Sequence, residues 1–289
     1  MLDSDLIEKR NLRSRQLWER SCRSIVGGGQ AHKRPVDIMK LGGPSFAARG
    51  QGARFWDVDG HEYLDYLLGY GPIVLGHCDP RINEAVRRQM EDGTVFSIEH
   101  PLEIDLAEAL IELIPYAEMA MYFVGGSSAT MGAIRCARAH TGRERIIRCG
   151  YHGWHDWFIA TTDRAAGIPA GVRDLSFTLP YNDLEAARAA IDKNTACVIL
   201  EPTTFEAARP GYLEGLRRAC DETGALLVFD EMWTGFRLAE GGAQQRFGVR
   251  ADLACFSKAV ANGMPLGVLT GRRDVMALLE RDVFFFTTF

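Results

Sequence analysis

The sequence predicts an α/β protein built on a mainly parallel sheet, and two patterns in its second half carry this prediction. Short apolar runs recur at 119–124, 145–149, 196–200, 225–230, 252–256 and 265–270. Helical periodicity fills several intervals between them, at 128–141, 183–192 and 212–223. Continuous apolar runs of this length are typical of strands buried on both faces, and their alternation with helices is typical of a parallel sheet.

The first third of the chain has a different pattern. Residues 3–22 are polar with scattered apolar positions, which predicts a surface helix. Residues 53–66 alternate between apolar and polar around Asp59-Gly60, and this pattern is typical of a β-hairpin. Helical periodicity returns at 80–92 and 103–114.

The composition disfavours several classes of binding partner and indicates a cellular compartment. The chain has 289 residues, of which 47% are hydrophobic, and its net charge of −5 disfavours a nucleic-acid or anionic-membrane partner. No apolar run is long enough to span a bilayer, and the N-terminus lacks the apolar core of a signal peptide. Seven scattered cysteines without a C-x-x-C pair predict free thiols in a reducing compartment. We therefore expect a cytoplasmic protein.

Ligands of open α/β sheets bind beyond the carboxyl ends of the strands, so the residues after each apolar run are candidates. After 119–124 comes Gly125-Gly126-Ser127, where the next helix begins. A helix N-terminus offers unpaired N–H groups to an anion such as phosphate, and the alternative is a turn and helix cap without a ligand. The segment is neither a Walker A loop nor G-x-G-x-x-G, which disfavours a nucleotide-binding domain.

The run 145–149 is followed by the polar and aromatic segment Tyr151-His152-Gly153-Trp154-His155-Asp156. Its two histidines and its aspartate do not match a known metal-ligand spacing, so we predict no metal site. The remaining interpretations are an aromatic platform for a planar ligand and a turn that binds nothing.

Two charged residues follow other apolar runs. Asp230 ends a very apolar strand, where a carboxylate is costly to bury unless a cationic ring nitrogen, a helix cap or a salt bridge pairs with it. Lys258 lies among small apolar residues, where desolvation lowers the pKa of its amine and favours Schiff-base formation. The alternative for Lys258 is a half-buried side chain whose ammonium reaches solvent.

Together these positions match the parts of one cofactor, pyridoxal 5'-phosphate (PLP). They supply a phosphate cradle, a ring platform, an acid for the pyridine nitrogen and an amine for the aldehyde. An acid at the ring nitrogen keeps the ring protonated, so that the ring withdraws electrons from a substrate carbon that loses its proton. The residues therefore predict a PLP-binding site.

Longer motifs resemble those of the class III aminotransferases, in order and spacing, from about residue 20 onward. They are the segment 125–147, the Tyr151-His152-Gly153 turn, Leu200-Glu201-Pro202, the segment 228–237 and the segment 256–263. This resemblance implies a fold-type I PLP-dependent transferase. Residues 76–289 would form its large domain with a seven-stranded-type sheet, and residues 1–75 the N-terminal part of a small α+β domain. It also implies a homodimer with the site at the interface.

The resemblance also implies a role for each site residue. The implied cofactor contacts are Gly126, Ser127, Tyr151, His152, Asp230, Met232, Lys258 and Thr288. Lys258 would form the Schiff base, and Asp230 would pair with the pyridine nitrogen. Tyr151 would stack on one ring face and Met232 would pack on the other. Thr288 would reach the phosphate of a partner subunit.

Within the family, residues 25–34 resemble the glutamate-1-semialdehyde 2,1-aminomutases, and Arg34 matches an arginine that binds a substrate carboxylate. Tyr70 matches an aromatic substrate contact that is usually tryptophan. This departure, those at Gly125 and Ser128, and a segment after Tyr151 without the glycine-serine-rich stretch of the aminomutases leave open an intermolecular transaminase. Its substrate would be an amino sugar or a secondary metabolite, because related transaminases of those pathways carry similar Trp-His-Asp-Trp turns. The aromatic end of the chain, 282–289, suggests a truncated small domain, so a non-catalytic fragment is a further alternative.

Overall fold

The computed structural model describes residues 8–30 and 33–284. These residues form two compact units, one up to Asp92 and one from Gly93. This division lies later in the chain than the predicted boundary at 75/76, because the helix Pro80–Asp92 clusters with the N-terminal unit. Within the described part of the chain, no helix combines the length and the apolarity needed to cross a bilayer.

Among its described residues, the N-terminal unit combines three α-helices and a short 3-10 helix (Val26–Gly28) with a small antiparallel sheet. Its elements are α1 (Leu12–Ser21), α2 (Pro35–Met39), β1 (Ala47–Gln51), β2 (Arg54–Asp57), β3 (Glu62–Leu64) and α3 (Pro80–Asp92). The predicted hairpin is confirmed, because β2 pairs with β3 across the turn that contains Asp59 and Gly60. The Asp59 carboxylate accepts the backbone N–H groups of Arg13 and Ser14 at 2.7 and 3.1 Å, and thereby caps the first turn of α1.

The second unit alternates strands and helices as the sequence predicts. Its elements are α4 (Pro101–Leu113), β4 (Met119–Phe123), α5 (Gly126–Thr141), β5 (Arg145–Cys149), α6 (Asp156–Ile159), α7 (Ala170–Arg173), β6 (Ser176–Thr178), α8 (Leu184–Ala190), β7 (Thr195–Leu200), α9 (Tyr212–Thr223), β8 (Leu226–Asp230), α10 (Gly242–Phe247), β9 (Leu253–Phe256), β10 (Gly267–Gly271), α11 (Arg273–Met276) and α12 (Leu278–Arg281). Each long apolar run of the sequence is a strand of one sheet.

This sheet has seven strands in the order β4-β10-β9-β8-β7-β5-β6. β10 runs antiparallel to both of its neighbours, and all the other pairs are parallel. The predicted mainly parallel sheet is therefore confirmed. Because β4, β5, β7, β8 and β9 run in the same direction, their carboxyl ends meet at one edge of the sheet.

Successive side chains along β8 point to opposite faces of the sheet. Leu226 and Val228 join the apolar cluster on the face covered by α5, whereas Leu227 and Phe229 join the cluster on the face covered by α9. The same period of two places Asp230 on the α5 face. Asp230 and the next residue, Glu231, therefore lie on opposite faces of the sheet.

Glu231 lies on the opposite face and holds the start of α10. Its carboxylate is 1% exposed and accepts the backbone N–H groups of Ala243 at 2.8 Å and Gln244 at 3.2 Å. The Thr234 hydroxyl also donates to it. Burial nevertheless raises the pKa of Glu231 to about 7. The folded chain therefore keeps a proton on this group at a pH where the unfolded chain has lost it.

We expect this proton to make the stability of the fold depend on pH. The pKa of Glu231 rises on folding from 4.5 to about 7, so stability should fall as pH rises between those values and then level off. The loss should amount to about 3 kcal/mol at most. Urea unfolding at pH 5 and pH 7.5 should show a smaller difference for Glu231→Gln than for the parent. The exposed Glu222→Gln is the matched control, and equal differences in all three proteins would contradict this prediction.

Candidate active site

The start of α5 forms a glycine-rich turn at the edge of the sheet. The N–H groups of Ser128 and Ala129 donate to the Gly125 carbonyl at 3.1 and 3.2 Å, and they make the first bonds of the helix. The N–H groups of Gly126 and Ser127 precede these bonds, in the part of a helix that lacks intrahelical partners. This turn follows β4 directly, so it lies at the same edge of the sheet as the carboxyl ends of β5, β8 and β9.

Two glycines leave room for a ligand at this turn. A Cβ atom at Gly126 would lie 2.6 Å from Sδ of Met232. A Cβ atom at Gly153 would lie 2.2 Å from Oγ of Ser127, and Gly153 has a φ of +99°. Side chains at either position would therefore fill the space beside the helix start. A phosphate group suits a cradle of this shape and polarity.

Asp230 is held rigidly at the carboxyl end of β8. It is 1% exposed, and one carboxylate oxygen accepts the N–H of Met232 at 3.0 Å. The other oxygen lies 2.7 Å from Nδ1 of His152. Nε2 of His152 lies 3.1 Å from the Cys149 carbonyl oxygen, which can only accept, so Nε2 carries a proton and a second proton lies between Nδ1 and Asp230. His152 and Met232 thus fix the orientation of the carboxylate.

Lys258 lies shortly after β9, and it lines the same pocket as Asp230. Its backbone has a φ of +51°, a left-handed conformation that is uncommon for a residue with a side chain. Nζ lies 3.7 Å from the centroid of the Trp233 ring. Burial lowers the pKa of Lys258, as the sequence predicted, and the carboxylates of Asp230 and Glu201 oppose this shift.

Tyr151 is positioned by a residue that sequence reasoning did not select. The buried carboxylate of Glu201 accepts the N–H of Tyr151 at 2.9 Å, and burial raises the pKa of Glu201. The Tyr151 ring is 61% exposed and packs edge-on against Phe158, with centroids 5.2 Å apart. Glu201 directly follows β7, so the rule that selected Asp230 could also have found it.

We expect Gly150→Ala to destabilise the chain. Gly150 has a φ of +104°, and a Cβ atom there would lie 2.4 Å from Oε2 of Glu201. Strain and overlap together should lower the free energy of unfolding by about 1–3 kcal/mol, measured by urea denaturation. Gly142→Ala is the matched control, because it has a φ of +65° and open space around the added atom. A Gly150 variant no less stable than the Gly142 variant would contradict this prediction.

One pocket gathers these groups. It is lined by Gly126, Ser127, Thr130, Tyr151, His152, Gly153, Asp230, Met232, Trp233, Ser257 and Lys258. Every predicted cofactor contact within the described residues lies on it, and Thr288 lies outside them. The structure also adds Thr130, whose hydroxyl is 2.9 Å from the Ser127 carbonyl oxygen and 3.0 Å from that of His152. These residues fit PLP, with an anion cradle and an amine beside a buried carboxylate.

The two predicted substrate contacts belong to the N-terminal unit. Arg34 precedes α2, is exposed and forms an ion pair with Asp37 at 3.0 Å. Tyr70 is 41% exposed and has a left-handed φ of +64°. Their roles stay predictions. In the described part of the chain, no group of three or more histidine, cysteine, aspartate or glutamate side chains could hold a metal ion.

The chain is similar to known proteins over most of its length. Residues 40–284 match the family described as aminotransferase class-III. The chain is 40% identical to a glutamate-1-semialdehyde 2,1-aminomutase of Methanococcus maripaludis, over 91% of this chain and 65% of that protein. It is 39% identical to a 3-aminobutyryl-CoA aminotransferase of Cloacimonas acidaminovorans, over 96% of this chain and 69% of that protein.

A solved structure described as a transaminase with PLP bound superimposes with a TM-score of 0.85 at 30% identity. The superposition covers 94% of this chain and 67% of that one. The chain thus spans about two thirds of the length of the curated relatives that it matches.

Proposed function

The chain belongs to the class III aminotransferases, and on that premise we propose that it transfers amino groups with PLP held at Lys258, in the manner of a glutamate-1-semialdehyde 2,1-aminomutase. The observation that carries the proposal is the single pocket that Lys258, Asp230 and the start of α5 line together. These three parts lie at the ends of separate strands, and a ligand with a phosphate, a ring nitrogen and an aldehyde would use all of them.

Six residues of the pocket then have a defined task. When bound, PLP supplies an electron-withdrawing ring next to the substrate amine. The N–H groups of Gly126 and Ser127 would bind the phosphate, and the Asp230 carboxylate would hold a proton at the ring nitrogen. Tyr151 and Met232 would contact the ring. The Lys258 amine would hold the cofactor covalently and, when free, would be the base placed to move the proton of the substrate carbon.

The aminomutase type is supported by the N-terminal segment and by the similarity to the Methanococcus maripaludis protein. In this proposal, the exposed guanidinium of Arg34 binds a substrate carboxylate, and the carboxylate of Asp37 keeps it in place until substrate arrives. An intermolecular transaminase is the second candidate, because the 3-aminobutyryl-CoA aminotransferase is almost equally similar.

The requirement for an amino donor distinguishes these two candidates. An aminomutase converts glutamate-1-semialdehyde to its positional isomer without any added donor or keto acid, whereas a transaminase needs both an amino donor and an acceptor. We therefore propose to incubate the PLP-loaded full chain with glutamate-1-semialdehyde alone, and with a panel of donor and acceptor pairs. Isomerisation that Lys258→Ala abolishes would support the aminomutase. Turnover only with pairs would support the transaminase, and no turnover despite bound PLP would support a non-catalytic fragment.

We also propose that the chain acts as a homodimer in the cytoplasm. Large apolar side chains are exposed at Val95, Phe96, Ile98, Leu102 and Ile104, in and before α4, and such a patch favours a protein partner. Sedimentation equilibrium of the 32.1 kDa chain should give twice that mass. The free cysteines support a reducing compartment.

A further inference from the structure

The pocket contains one aromatic ring to which neither the sequence prediction nor the proposed function gives a task. Trp233 lies in the segment after β8, lines the pocket and is 37% exposed. Its ring lies directly beneath the amine of Lys258, with Nζ 3.7 Å from the ring centroid. At this distance the negative face of an indole ring attracts an ammonium group, and tryptophan does so more strongly than the other aromatic residues.

Burial and three charged side chains also affect the protonation of the Lys258 amine. The carboxylates of Asp230 and Glu201 favour the ammonium form, while burial and the guanidinium of Arg237 oppose it. The Trp233 ring also favours the ammonium form, as the carboxylates do, because the ring quadrupole attracts only the charged amine. The geometry therefore gives the amine a defined place before any aldehyde has reacted with it.

We propose that Trp233 is a positioning residue, whose ring holds the ammonium of Lys258 in the pocket and releases it when the cofactor is attached. This inference rests on the proposed function, because it assumes that Lys258 is the attachment residue. Attachment requires the ammonium to lose a proton to solvent, so that the nitrogen lone pair can bond to the aldehyde carbon while one water molecule leaves. Trp233 thus delays attachment at neutral pH and keeps the amine in the correct place for it.

The charge state of Lys258 can be measured without any cofactor. The cofactor-free full chain is labelled with trace acetic anhydride across a range of pH, and acetylation of the Lys258 peptide is measured by mass spectrometry, with exposed Lys193 as internal reference. We expect the inflection for Lys258 to lie about half to one pH unit lower in Trp233→Leu than in the parent. Trp233→Phe should lie between them, because a smaller ring still attracts the ammonium.

Attachment kinetics give a second measurement. Below the inflection, Trp233→Leu should attach PLP about three- to tenfold faster than the parent, and at high pH the two rates should converge. A ring with only a packing role would change the rate equally at every pH. Labelling and attachment profiles that superimpose in parent, Trp233→Phe and Trp233→Leu would overturn the inference.

The two proposals fail in different ways. If the parent never attaches PLP at Lys258, the proposed function fails, while the labelling experiment still measures the effect of Trp233. If the parent attaches PLP but its labelling inflection does not depend on residue 233, only the inference fails. Should Trp233→Leu not fold, as judged by circular dichroism, Trp233→Phe decides the question, with an unchanged inflection counting against the inference.

Discussion

Lys258→Ala is expected to abolish covalent attachment of PLP to the chain. Lys258 brings the only amine that lines the pocket within the described residues, and burial lowers its pKa toward the range where the neutral form is available. After incubation with PLP and reduction with borohydride, the parent should gain the mass of one reduced cofactor on the Lys258 peptide. Its visible absorbance band should disappear at the same time. The variant should show neither the added mass nor the band.

The matched control for this experiment is Lys193→Ala. Lys193 is exposed in the turn before β7, so its removal should leave the attachment of PLP at the parental level. Borohydride reduction in which Lys258→Ala still gains the full cofactor mass would remove Lys258 from its assigned role. Mapping of the reduced adduct to any of the other four lysines of the parent would do the same.

The sheet could be predicted because burial on both faces leaves a direct trace in the sequence. β7 and β8 are wholly buried, and their residues 196–200 and 226–229 are unbroken apolar runs. β6 was missed, because it is a three-residue edge strand with an exposed Phe177 and so needs no apolar run. The antiparallel direction of β10 was also not predictable, since an apolar run carries no information about strand direction.

The same limits apply to the site. Asp230 and Lys258 could be found because Asp230 ends a buried strand and Lys258 comes shortly after another, and the carboxyl ends of parallel strands meet at one edge. Glu201 obeys the same rule, but it holds the backbone of Tyr151, and the sequence pattern does not show such a contact. The contact of Trp233 with Lys258 could not be predicted from the sequence, because it depends on the left-handed backbone of Lys258 and on the path of the chain after β8.

Asp230→Asn is expected to separate cofactor binding from catalysis. The amide can donate to Nδ1 of a neutral His152 and still accept the N–H of Met232, so the fold and the attachment of PLP should survive. The amide cannot hold a positive charge at the ring nitrogen. We therefore expect amino transfer, measured as turnover of PLP-loaded protein, to fall by about 10²–10³-fold, which is typical for loss of one preorganised electrostatic partner.

Two comparisons make this result specific to the charge of Asp230. Asp221→Asn, an exposed aspartate on α9, removes the same charge away from the pocket and should turn over at the parental rate. A PLP analogue methylated at the ring nitrogen carries a fixed positive charge, so it should restore part of the turnover to Asp230→Asn. Equal turnover of Asp230→Asn and parent would exclude the carboxylate from this task. A loss that the methylated analogue leaves unchanged would mean that Asp230 acts through the shape of the pocket, because the analogue replaces only the charge that the carboxylate maintains.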